Sequence, residues 1–140
     1  RYVAENTIKK MIKADKTIKG SRVLVLGLTF KEDVPDIRNS KVIDIIRELE
    51  DYDVEVFVHD PLADPEETRH EYGIELAGLD SVGSVDAVVW AVSHKAFSEI
   101  TTERLAELCC NGNGCGVVVD VKSVLVRSEI EGRGMDYWTL

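Results

Sequence analysis

Two cations in one loop and a third beyond a later strand are the residues of this chain best suited to chemistry. Lys31 and Arg38 lie in the stretch Gly27 to Ser40, GLTFKEDVPDIRNS, and Lys122 lies in Val119 to Ser123. An ammonium meets a phosphate as a point charge and a guanidinium forks onto one, so the set suits an anionic ligand. The competing assignment makes Lys31 and Arg38 solvated loop charges paired with Asp33 or Asp36. Ser40 is placed to cap the next helix, whose dipole would add to an anion site. A dinucleotide-binding loop would carry GxGxxG and start its helix at once, so that backbone N–H groups cradle a pyrophosphate. Only Gly27 of that pattern is present, which leaves an anion site built from side chains.

Other candidates are weaker. Ser93, His94 and Lys95 follow a strong apolar run, yet no Asp or Glu is evidently placed to orient the His, so His94 is expected to line or cap a loop. His59 and Asp60 end a strand pattern where an acid can meet a ribose hydroxyl, but Asp60 before Pro61 reads as a turn former. Cys109, Cys110 and Cys115 have no second CxxC and no His at zinc spacing, and nothing near them is cationic. They are expected to be reduced, structural thiols, with no metal site.

These residues need elements to position them. Helical spacing of Val3, Ile8, Met11, Ile12 and Ile18 predicts a helix over Tyr2 to Ile18, stopped by Gly20. Short apolar runs over Ser21–Gly27, Val54–His59, Val85–Val92 and Gly116–Val121 read as strands buried on both faces. Asp136–Leu140 is expected as a last strand and Ile74–Leu76 as a short extra one. Helices are expected after Ser40, over Pro65–Tyr72 and over Thr101–Cys109. Alternating strands and helices predict an α/β, doubly wound, mostly parallel sheet of Rossmann-like type, preceded by the end of a long helix. Ligands in such folds sit beyond the carboxyl ends of the strands, which points to the loops after Leu26, Val58, Val92 and Val121. The net charge of −9 argues against nucleic-acid or anionic-membrane partners. No apolar run is long enough for a membrane span, so a cytoplasmic protein is expected.

The run Gly27, Leu28, Thr29, Phe30, Lys31, then Asp36, Arg38 and Ser40, resembles the FKxxxxDxRxS signature of the UDP-glucose/GDP-mannose dehydrogenase family in its carboxy-terminal domain. HDP, SHKAF and DVKSVL continue the likeness, so it covers Gly20 to Leu140. DVKSVL and the closing YWTL resemble the UDP-N-acetylhexosamine enzymes more than the UDP-glucose ones. The resemblance implies an NAD-dependent oxidation of the sugar C6 alcohol to a carboxylate in two steps, in nucleotide-sugar metabolism and polysaccharide biosynthesis. It places the nucleophilic cysteine and the NAD fold upstream, so no catalytic residue is expected here and the chain alone is expected to be inactive. It makes Phe30 and Lys31 substrate-binding, Lys122 a contact to the UDP moiety where the family often has Arg, and Arg38 a contact to NAD. Residues 1–19 are then expected to be the tail of a central dimerising helix and 20–140 the nucleotide-sugar domain. UDP-sugars are the implied ligands ahead of GDP-mannose, with a dimeric or larger parent protein and a fragment able to exist as a monomer. A free-standing α/β nucleotide-binding or regulatory module is the alternative.

Overall fold

The computed structural model of the chain describes residues 2–112 and 114–140. In chain order it comprises helix α1 (Tyr2–Lys13), strand β1 (Arg22–Leu26), helix α2 (Val42–Asp51), strand β2 (Glu55–His59), and helices α3 (Pro65–Tyr72) and α4 (Leu79–Val82). Strand β3 (Ala87–Trp90), a 3-10 turn (Lys95–Glu99), helix α5 (Thr102–Cys109) and the two-residue strands β4 (Cys110–Asn111) and β5 (Gly114–Cys115) come next. Strand β6 (Val117–Asp120), helix α6 (Arg127–Gly132) and strand β7 (Asp136–Thr139) complete the series.

The five longer strands form one sheet in the order β2-β1-β3-β6-β7, and every pairing in it is parallel. Successive side chains of a strand face opposite sides, and here both sides are apolar. Val23, Val25, Ala87, Val89, Val117 and Val119 point to a core shared with α1 and α2. Leu24, Leu26, Val88, Trp90 and Val118 point to a second core with Phe97, Leu105, Leu108 and Ile130. The sheet is therefore doubly wound, as the unbroken apolar runs require. Helix α1 packs on this sheet through Ala4, Ile8 and Met11, all in the first core.

Several elements differ from the sequence reading. Helix α1 stops at Lys13 because Asp15 takes a left-handed conformation, φ 62°, and the Lys16 N–H reaches back to the Met11 carbonyl at 2.9 Å. That is a Schellman-type close, and it needs no glycine; Ile18 packs on the core from the following turn. Ile74–Leu76 makes one bridge, Val58 to Leu76, in place of a strand. The thiol assignment fails for two cysteines: Cys110 and Cys115 face each other across the β4–β5 hairpin and are joined by a disulfide. The turn between them brings residues close in sequence into cross-strand register, which a count of cysteines does not reveal. Cys109 stays a buried thiol, pushed up to about 12 by burial, and is accordingly unreactive.

One glycine is fixed by packing at the head of the first loop. Gly27 has φ +96°, and a Cβ there would stand 2.5 Å from the Val92 Cβ and 2.9 Å from its backbone nitrogen. Gly27→Ala is expected to cost about 2–5 kcal/mol, from left-handed strain plus overpacking against β3's continuation. Urea denaturation checks this, and a cost below about 0.5 kcal/mol would show that the strand ends can separate freely.

Candidate functional site

Strand order sets the place of the site. The chain runs from β1 outward to β2 and then returns to the other side of β1 to form β3, so the crossovers diverge above the carboxyl ends of β1 and β3. A cleft of about 480 Å³ opens there. Its walls are Val42 and Ile45 from the first turns of α2, Ala91 and Val92 after β3, Val121 after β6, and Leu140. Phe30, Lys31 and Lys122 line the same cleft and are exposed. The geometry joins an apolar wall, an exposed aromatic ring and two ammonium groups from loops far apart in sequence. That suits a ligand with a flat apolar part and an anionic part.

Arg38 is elsewhere. Its guanidinium makes two hydrogen bonds to Asp36, Nε to Oδ1 and Nη2 to Oδ2, both at 3.0 Å, and its side chain is 79% exposed. The pairing lowers the Asp36 carboxyl and raises the guanidinium. Arg38 borders a second, open groove with Pro35, Leu62 and Glu67. Two of the three sequence-read cations therefore converge, and the third faces outward with a carboxylate partner. Residues that sequence reading missed complete the cleft: Tyr2 of α1, stacked edge-on to Trp138 with centroids 5.7 Å apart, and Lys41 just before α2. Lys41 had a readable signal, its position beside the helix start, whereas Tyr2 had none.

Lys31 and Lys122 each sit on a loop fastened to a buried aspartate that does not itself line the cleft. Asp60, at the end of β2, accepts hydrogen bonds from the N–H groups of Leu28 at 2.6 Å and Thr29 at 3.1 Å through Oδ2. Its Oδ1 accepts from Leu62 at 2.8 Å and Ala63 at 3.3 Å. Burial pushes this carboxyl up, but the N–H donors of Leu28, His94 and Leu62 outweigh it and hold it below the usual range. Asp120, at the end of β6, accepts from the Leu125 N–H at 2.8 Å and the Tyr137 hydroxyl at 2.6 Å, and so shapes the turn that carries Lys122. Burial first, then the bond to Asp120, raises the Tyr137 phenol. Ser40 does bond the start of α2, its Oγ accepting the Val42 N–H at 3.2 Å.

His94 has the orienting acid that its sequence neighbours did not reveal. Its buried imidazole places Nε2 3.0 Å from Asp60 Oδ2 and 3.2 Å from Thr29 Oγ1, while Nδ1 accepts the Asp33 N–H at 2.9 Å. Acceptance at Nδ1 leaves Nε2 as the protonated nitrogen. A nucleophile triad needs hydroxyl and acid on opposite ring nitrogens; here both are on Nε2, and Thr29 Oγ1 spends its proton on the Lys31 carbonyl. The cluster is a fastening, not a hydrolytic centre. It also bears on a dinucleotide: the N–H groups that would cradle a pyrophosphate just after β1, those of Leu28 and Thr29, are already taken by Asp60. The backbone of this loop therefore does not fit an NAD cradle.

Among the described residues no helix is long and apolar enough to cross a membrane, and no group of three His, Cys, Asp or Glu side chains could hold a metal ion.

Comparison with known proteins matches residues 24–127 to the UDP-glucose/GDP-mannose dehydrogenase family, UDP binding domain. The chain is 42% identical over 124 residues to a UDP-N-acetyl-D-glucosamine 6-dehydrogenase of Pseudomonas aeruginosa, an alignment covering 89% of this chain and 29% of the relative. It is 40% identical over 132 residues to the enzyme of the same name from Salmonella typhi, covering 94% of this chain and 30% of that one. In fold it resembles an NDP-N-acetyl-D-galactosaminuronic acid dehydrogenase from Methanosarcina mazei Go1, with a TM-score of 0.84 and 24% identity over 99% of this chain and 28% of that one. The chain thus spans under a third of the length of each of these three relatives.

Proposed function

The chain belongs to the UDP-glucose/GDP-mannose dehydrogenase family, over its UDP-binding domain, and from that premise we propose that the cleft above β1, β3 and β6 holds a UDP-sugar. The observation that carries the proposal is the meeting of Lys31 and Lys122 beside the exposed ring of Phe30 in one apolar-walled cleft. The ammonium groups suit the diphosphate and the aromatic and aliphatic walls suit the uridine, with the α2 amino end adding its dipole. Lys31, on the loop after β1, is the lysine assigned nearest the sugar; Lys122 is assigned to the UDP moiety.

In this reading the whole protein is an NAD-dependent UDP-sugar 6-dehydrogenase that oxidises the C6 alcohol to a carboxylate in two steps. NAD would supply the hydride acceptor, and Arg38 is the residue of this chain proposed to meet one of its anionic groups. The nucleophilic cysteine lies outside this chain, since Cys109 is buried and Cys110 and Cys115 are paired. What this chain does is bind and orient the nucleotide end of the substrate.

A titration of the chain with UDP tests the reading: amide resonances of Phe30, Lys31 and Lys122 are expected to shift while those of the β4–β5 hairpin stay still. Shifts confined to other surfaces would move the site. With UDP-N-acetyl-D-glucosamine and NAD together the chain alone is expected to form no NADH, and measurable turnover would place the chemistry in this domain.

A further inference from the structure

We infer that His94 is a positioning residue for Lys31, because one buried imidazole fastens the backbone on both sides of it. This rests on the reading of the cleft as a nucleotide-sugar site. The His94 side chain has no exposed surface and does not line the cleft, so it acts on a ligand only through what it holds. On one side of Lys31, Nε2–H is shared between Asp60 Oδ2 and Thr29 Oγ1, and Thr29 Oγ1 in turn donates to the Lys31 carbonyl at 3.0 Å. On the other side, Nδ1 accepts the Asp33 N–H. Asp33 has φ 63°, a left-handed conformation that Asp tolerates better than most non-glycine residues and that the bond to Nδ1 helps to hold. Its carboxylate completes the hold, Oδ1 accepting the Lys95 N–H at 2.7 Å, so the loop after β1 and the segment after β3 are joined by three bonds, at Thr29 and twice at Asp33. The Phe30 N–H closes the loop onto the Asp36 carbonyl at 2.7 Å.

The chemistry calls for histidine. The position needs a donor at one end and an acceptor at the other, on a rigid ring spanning Asp60 and Asp33, and the Nε2–H imidazole supplies both. Asparagine can place an acceptor where Nδ1 stands but does not reach Asp60. Glutamine can place a donor where Nε2 stands but offers nothing to Asp33.

The two variants separate positioning from filling of the core, where the ring also packs on Phe97 with centroids 5.2 Å apart. His94→Gln is expected to weaken UDP binding, followed by NMR titration, by ~10-fold or more, and to speed amide exchange at Asp33 by ~10-fold, because that end of the Lys31 loop is released. His94→Asn is expected to keep Asp33 protected and to bind UDP more tightly than His94→Gln, whatever its thermal midpoint. Equal UDP affinity and equal Asp33 protection in wild type and His94→Gln would overturn the inference; so would losses in both variants that simply follow thermal stability. If the wild-type chain does not bind UDP, the cleft reading fails, while Asp33 exchange still decides the positioning role. Should neither variant fold, the imidazole ¹⁵N resonances of the wild-type chain decide: a protonated Nδ1 in the native state overturns the inference, and an unprotonated Nδ1 coupled to the Asp33 amide supports it.

Discussion

Asp60→Ala is expected to remove about 4 kcal/mol of stability, read from the urea midpoint of the chain. The carboxylate accepts from the N–H groups of Leu28, Thr29, Leu62 and Ala63 and from the His94 ring, and these lie where water has little access. Alanine leaves those donors unpaired, at about 1–3 kcal/mol each where no water replaces the acceptor. Asp60→Asn keeps an acceptor oxygen but turns an NH₂ group towards one set of donors, so an intermediate loss is expected. A loss under about 1 kcal/mol for alanine would mean that the loops after β1 and β3 hold themselves without the carboxylate.

The same group makes stability depend on pH, in a definite direction. The native Asp60 carboxyl is held below its ordinary value, so the unfolded chain binds its proton more readily than the native one. Its contribution is complete above the unfolded value of about 3.9 and is lost as pH falls through the lower native value. Acid titration of stability should therefore fall less steeply below about pH 4 for Asp60→Asn than for wild type. Asp36 is lowered as well, but it is only half-buried and its partner Arg38 is exposed, so its share should shrink in high salt while that of Asp60 persists.

Lys31→Ala, made in the full-length protein, is expected to lower kcat/KM for the UDP-sugar by about 10²–10³-fold, the loss typical when a placed charge is removed from an active site. Because Lys31 is exposed, the urea midpoint of the domain should stay within about 0.5 kcal/mol of wild type. Lys31→Arg is expected to restore only part of the activity, since a planar fork replaces a compact point charge on a loop fixed from both sides. Wild-type kinetics for Lys31→Ala would remove the residue from the site. Lys122→Ala should act chiefly on KM, in keeping with a contact to the nucleotide end that is made equally in ground and transition states.

Much of the fold was legible because its signals are local. Runs such as Val23 to Leu26 and Val117 to Val119 are apolar at every position, and only a sheet covered on both faces accommodates that. Helix α3 runs over the residues read for it, Pro65–Tyr72, and the structure shows its ends to be local: Asp64 caps it, Pro65 starts it and Gly73 closes it in a left-handed conformation. Helix α1 was read too long because its end is made by a bond from Lys16 to Met11 around Asp15, a residue with no stop signal of its own. Helices α4 and α6 were missed because each is too short to show a period.

The sequence by itself determined the doubly wound sheet and the loops that border the cleft, since residue type and strand period are written along the chain, while the family resemblance is what proposes Phe30, Lys31 and Lys122 for the ligand. Tertiary structure alone decided which of those residues meet. It turned Arg38 outward onto Asp36, brought Cys110 against Cys115, and joined His94 to Asp60 and Thr29, residues 34 and 65 positions away from it. The physical reason is the range of the interactions. Hydrophobic period acts between neighbours in sequence, whereas a buried carboxylate or imidazole takes whichever donors the strand order brings to the same edge of the sheet.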